Sequence, residues 1–196
     1  MVRFVFGKWM VAIVLMAGMA GSASAQLSGL ISGETKPENP DRAMLTSAEV
    51  VKSLPRLGAN FTILAPSSKS YNAFGHVLGT TDRWINPEVG SAEAPLQKID
   101  ELLSASGYRR AEGLNASPQR GVQKLVVYGK LKPDGDIETV TAAAVQLADG
   151  TWSSKLGGAA VIGFDKPEQL TGPAYGAVVG IYERPTQKRP SPFVIR

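Results

Sequence analysis

Val122–Leu131 (VQKLVVYGKL), then Lys132-Pro133-Asp134-Gly135, then Ile137–Leu147 (IETVTAAAVQL) is the run on which the fold turns. Its two outer segments are rich in β-branched and aromatic residues. The four residues between them have turn chemistry, since proline fixes φ and glycine accepts a left-handed conformation. Asp149-Gly150 turns the chain again and Thr151–Leu156 continues as a strand, so the region predicts an antiparallel meander. Further on, Tyr175–Glu183 (YGAVVGIYE) predicts a closing strand, and Asp165, Pro167 and Glu168 mark a short capped helix between them.

Upstream of Val122 the period changes from two to that of helices. Thr46 and Glu49 have the Thr-x-x-Glu spacing of a capping box, and the helix they open runs to about Leu54, where Pro55 stops it. Phe61–Leu64 is a short strand candidate. Tyr71–Leu78 reads as a short helix closed by Gly79. Pro95 suits a first helical position, and Leu96, Ile99, Leu102 and Leu103 recur at helical spacing until Gly107. Helices come first and strands later. The expected class is α+β, with helices packed on an antiparallel meander sheet.

The chain ends bound this domain. Residues 1–25 carry Arg3 and Lys8, an apolar run from Trp9 to Ala20, and small residues at Ala23 and Ala25. That is the pattern of a cleavable signal peptide cut before Gln26, and the run falls short of the ~20 apolar residues of a membrane span. The expected protein is exported, periplasmic or extracellular in a bacterium, with no membrane span after cleavage. Residues 26–44 are Gly-, Ser- and Pro-rich and read as a flexible tether, 45–184 as one globular domain, and 185–196 as an exposed tail.

Composition excludes several functions. The 21 Lys+Arg and 17 Asp+Glu become 19 and 17 once Arg3 and Lys8 leave, a net charge of +2. That excess is too small to argue for nucleic-acid binding, which rests on clustered cations. With no cysteine there is no disulfide, no lipid-anchored lipoprotein, no thiolate metal site and no covalent haem. A single histidine, His76, rules out a multi-histidine zinc site, and Asp134-Gly135-Asp136 lacks the distal ligands of a calcium loop. No metal and no cofactor are expected.

Four stretches carry a resemblance over about Thr46 to Arg184. They are Tyr71–Gly79 (YNAFGHVLG), Thr81-Asp82-Arg83-Trp84 with Pro87, Gln146–Gly157 (QLADGTWSSKLG), and Tyr175–Val179 (YGAVV). Together they resemble a bacterial family of uncharacterised domains with the motifs Y-N-C-x-A-W-A-x-G, T-x-R-W-x-x-P and H-x-A-x-x-L-x-D-G-x-W-x-S-K-L-G. The resemblance implies a papain-like arrangement, with a cysteine at a helix start facing a histidine on a later strand. A thiol there feels the positive end of the helix dipole and a nearby imidazole takes its proton, the chemistry of peptidases and amidases. In this chain the cysteine position is Ala73, the histidine position is Ala142, and a second family histidine falls at Phe164. The resemblance therefore implies a pseudoenzyme.

The remaining candidates are Tyr71, Asn72, His76, Trp84, Trp152 and Lys155 as binding residues. His76 lies one helical turn after Ala73, where the family has tryptophan, which favours packing. Ser153 and Lys155 share one face of their strand and Ser154 points the other way. Trp84 and Trp152 serve either as core or as the walls of a groove. The expected function is a non-catalytic, exported domain that binds a peptide, a cell-wall fragment or another exported protein. The alternatives are a structural or antagonist protein, and an enzyme that uses His76 with a serine or lysine.

Overall fold

The computed structural model describes residues 39–186, so the segments read as signal peptide, most of the tether and nearly all of the tail lie outside the described residues. The chain enters through α1 (Pro40–Leu45) and α2 (Ala48–Ser53), each capped by a side chain. Asn39 accepts from the Asp41 amide and Ser47 from the Val50 amide, satisfying donors that a helix start leaves open. All of helix α1 but its last residue lies in the stretch read as tether, and that residue, Leu45, only 2% exposed, ties it to the core. The Thr46–Glu49 capping box does not form. The Thr46 hydroxyl instead donates back to the Arg42 carbonyl at 2.9 Å, and the cap moves one residue on to Ser47.

Next come β1 (Thr62–Ala65), α3 (Ala73–Leu78), α4 (Gln97–Ser104) and β2 (Arg109–Arg110). The meander follows as β3 (Val122–Leu131), β4 (Ile137–Gln146), β5 (Trp152–Lys155) and β6 (Val161–Phe164). A 3-10 turn at Pro167–Leu170 precedes β7 (Ala177–Pro185). The seven strands form one sheet in the order β1-β6-β5-β4-β3-β7-β2, and every pairing is antiparallel. The protein is α+β and mostly sheet. Strand β7 does not close the sheet: it runs between β3 and β2, and β1 and β2 form the edges. No helix among the described residues is long and apolar enough to cross a membrane.

Strand alternation divides the core into two layers. Val126, Tyr128, Ala142, Ala144, Trp152 and Ile162 join Leu45, Leu54, Leu57 and Leu170 in one buried cluster. Leu125, Val127, Ala143, Val145 and Tyr182 join Phe74 and Val77 of α3 and Ile99 and Leu103 of α4 in the other. The middle of the sheet is thus covered on both faces. That is why LVVY in β3 and AAAV in β4 are continuously apolar rather than alternating. The Tyr182 hydroxyl, donating to Asp100 at 2.8 Å, locks α4 onto β7.

Candidate functional site

Helix α3 is the element on which the sequence places the site. Its start is fixed by Asn72, which is 8% exposed. The Asn72 Oδ1 accepts from the amides of Gly75 (3.1 Å) and Ile85 (3.2 Å). Its Nδ2 donates to the Ile85 carbonyl (2.8 Å) and to Asn86 Oδ1 (3.1 Å). With all of these engaged, Asn72 works as a cap and as a rivet between α3 and the Ile85-Asn86 loop. At the other end Gly79, at φ 72°, is the left-handed residue that ends the helix.

Ala73 is 4% exposed, Ala142 is fully buried and Phe164 is 3% exposed. All three belong to the same apolar cluster, together with Trp152. Trp152, 2% exposed, is core rather than a groove wall. Trp84 is different: its ring is 48% exposed and its indole N–H donates to the Lys69 carbonyl at 2.7 Å. The two motif tryptophans therefore do separate jobs.

The structure brings His76, Ser153, Lys155 and Tyr71 together under α3. His76 Nε2 and Ser153 Oγ are hydrogen-bonded at 2.9 Å. Lys155, fully buried, donates to the Ala159 carbonyl at 2.5 Å, and its ammonium sits 4.8 Å from the centre of the Tyr71 ring. Burial, and then the Lys155 charge, hold the His76 imidazole below its ordinary pKa, which favours the neutral ring. Burial also pushes Lys155 down, opposed by the Asp41 carboxylate. A hydroxyl on a neutral imidazole is the contact by which a serine nucleophile is activated. Ser153 is however 1% exposed, leaving its oxygen out of reach of a substrate in this conformation. Ser154, on the opposite face, donates to the Ala143 carbonyl at 2.7 Å and is equally closed.

Beside this packed centre lies a cleft of about 520 Å³. One wall is the Ile85–Val89 loop with Asn72 and Phe74, and the other is Glu138–Thr141 of β4. Asn72 immediately precedes Ala73, and Thr141 immediately precedes Ala142, so the cleft adjoins both positions without either alanine lining it. Glu88 and Glu138 line it, and sequence reasoning missed both. They belong to no motif; the only signal is the polar first half of a strand whose second half is apolar. Among the described residues no group of three or more His, Asp or Glu side chains is placed to hold a metal ion.

Comparison with known proteins bears on the sheet rather than on chemistry. None of the curated proteins and none of the solved structures matches the chain. The model of one family, described as a domain of unknown function (DUF7689), matches residues 62–183. Those residues run from the first of β1 into β7 and include α3, the cleft and positions 73, 142 and 164, and on that span the chain belongs to the DUF7689 family of uncharacterised domains.

Proposed function

We propose that this protein is an exported, non-catalytic domain that acts by binding, on a papain-like scaffold whose catalytic positions have become core. The observation that supports this reading is the placement of Ala73, Ala142 and Phe164, the positions to which the sequence resemblance assigns a cysteine and histidines, in one buried apolar cluster. A methyl group has no proton to give and no lone pair to attack with. The open space nearby is the cleft between the Ile85–Val89 loop and β4, where the Thr139 and Thr141 hydroxyls donate to backbone carbonyls rather than to Glu88 or Glu138.

Among the described residues the His76–Ser153 contact is the feature that favours an enzyme, and it provides the test. Incubation of the full chain with a fluorophosphonate, followed by peptide mass mapping, should leave Ser153 unmodified. Ser153 labelling that is lost in His76→Gln would overturn the non-catalytic reading. Export rests on the pattern of residues 1–25, and protein recovered from outside a bacterial cytoplasm should begin at Gln26. Retention of residues 1–25 on that protein would contradict cleavage.

A further inference from the structure

The first half of β4 has a side that the sheet leaves open. Strand β4 pairs with β3 from Ile137 to Val145, with register shifts that leave Glu138 and Thr141 without a direct partner, but with β5 only at Val145 and Gln146. Among the described residues no strand lies against the other side of Ile137–Ala142, and no backbone hydrogen bond fills it. The cleft of about 520 Å³ runs along this side at Glu138–Thr141. A second hollow of about 240 Å³ shares Val89 and Glu138 with it and carries the groove on past Asp136 and Ile137. The six residues Asp136–Thr141 span about 20 Å at the ordinary rise of a strand, room for an extended segment of similar length.

The charges of the groove are one-sided. Among the described residues, Glu88, Asp136 and Glu138 line it against a single cation, Lys132. None of the three carboxylates forms a salt bridge with a described residue. Phe74, Ile85 and Val140 supply apolar contacts between the charges. The far wall is already fixed in place, because Asn72 holds Ile85 and Asn86 through three hydrogen bonds. A fixed wall reduces the ordering cost of binding. Acidic side chains at an open strand also discourage pairing with a second, identical β4, whose charges are the same.

We propose that this groove binds an extended peptide rich in lysine or arginine, which adds to β4 as a strand along Glu138–Thr141. Main-chain hydrogen bonds supply affinity and the carboxylates supply selection for positive charge. This rests on the reading of the domain as a binding protein and names its ligand class.

The test titrates the full chain with four fluorescent probes: an octapeptide alternating lysine and valine, the same peptide with alternate amides methylated, its glutamate counterpart, and spermine. Hydrogen exchange follows the amides of residues 137–142. The expected result is binding of the lysine peptide, exchange protection in that segment, and weakening by about tenfold or more in Glu88→Gln/Glu138→Gln. The glutamate peptide should not bind. A lysine peptide in which alternate amides are methylated should bind weakly, because it cannot complete the ladder. Undiminished binding to the double variant, equal binding of spermine without exchange protection, or no binding of any probe would overturn the proposal. Failure here with Ser153 unlabelled by fluorophosphonate removes only the ligand class, whereas labelling of Ser153 removes the non-catalytic reading whatever binds.

Discussion

Gly176→Ala should destabilise the domain by about 3 kcal/mol or more, enough to lower Tm by roughly 10 °C. Gly176 has φ 77°, in the left-handed region, and a Cβ there would lie 2.0 Å from the Gly129 carbonyl oxygen. The same Cβ would meet the Gly129 carbonyl carbon at 2.6 Å and the Lys130 nitrogen at 2.9 Å, so every near neighbour is backbone of β3. A flexible side chain can swing away, but a central strand paired on both sides cannot. Gly135 supplies the control, with φ 93° and nothing within 4 Å of its Cβ position. Gly135→Ala carries the conformational cost alone, about 1 kcal/mol. Thermal melts of the two variants separate the terms. Equal losses would mean that the turn leading into β7 does not approach β3 as closely as the structure has it.

Trp152→Ala should cost about 3–5 kcal/mol, the range for truncating a large aromatic in a close-packed interior. Its ring is 2% exposed and shares a cluster with Ala73, Ala142, Phe164 and Leu170. Trp84→Ala, by contrast, removes a half-exposed ring and one hydrogen bond to Lys69, and should cost about 1 kcal/mol. Urea titration of both variants is the measurement. If Trp152→Ala were no more costly than Trp84→Ala, the cluster around positions 73 and 142 would be loosely packed and open to a ligand. A large gap keeps Trp152 in the core and leaves Trp84 on the surface.

The sheet was legible where local chemistry specifies it. Val122–Leu131 became β3 with the same ends, because a β-branched run stops at a Pro-Asp-Gly turn. Helix α3 and its Gly79 stop, and α4 ahead of Gly107, follow from glycine in the left-handed region and from apolar spacing. Strand β6 was hidden because Val161–Phe164 is a four-residue run buried along its length, with no alternation to betray it. Helix α1 escaped notice because it sits in a polar stretch and depends on Asn39, Pro40 and one buried leucine. The place of β7 inside the sheet was not readable either, since the two-residue β2 that covers it has no strand signature of its own.

The site divides in the same way. The shared face of Ser153 and Lys155 is written in strand alternation, whereas Asn72, read as a binding residue in a helix from Tyr71, is the cap of a helix that starts at Ala73. The contact between His76 and Ser153 joins residues 77 apart in sequence and depends on how α3 lies on β5. The acidic groove depends on where β5 stops pairing with β4, and no residue type announces that. Only a single-sequence resemblance pointed to positions 73 and 142, and packing supplied the reason to regard them as core.

Position 73 offers the most direct measurement of that packing, because the chain contains no cysteine and Ala73→Cys would add its only thiol. A charged, membrane-impermeant maleimide is applied to the folded variant and to the same variant in urea, and the two labelling rates are compared. The expected result is native labelling at least about a hundredfold slower than in urea, limited by local opening of a buried side chain. Native labelling at the urea rate, with melting showing the variant folded, would place position 73 in an open cleft and contradict the proposal that this position has become core.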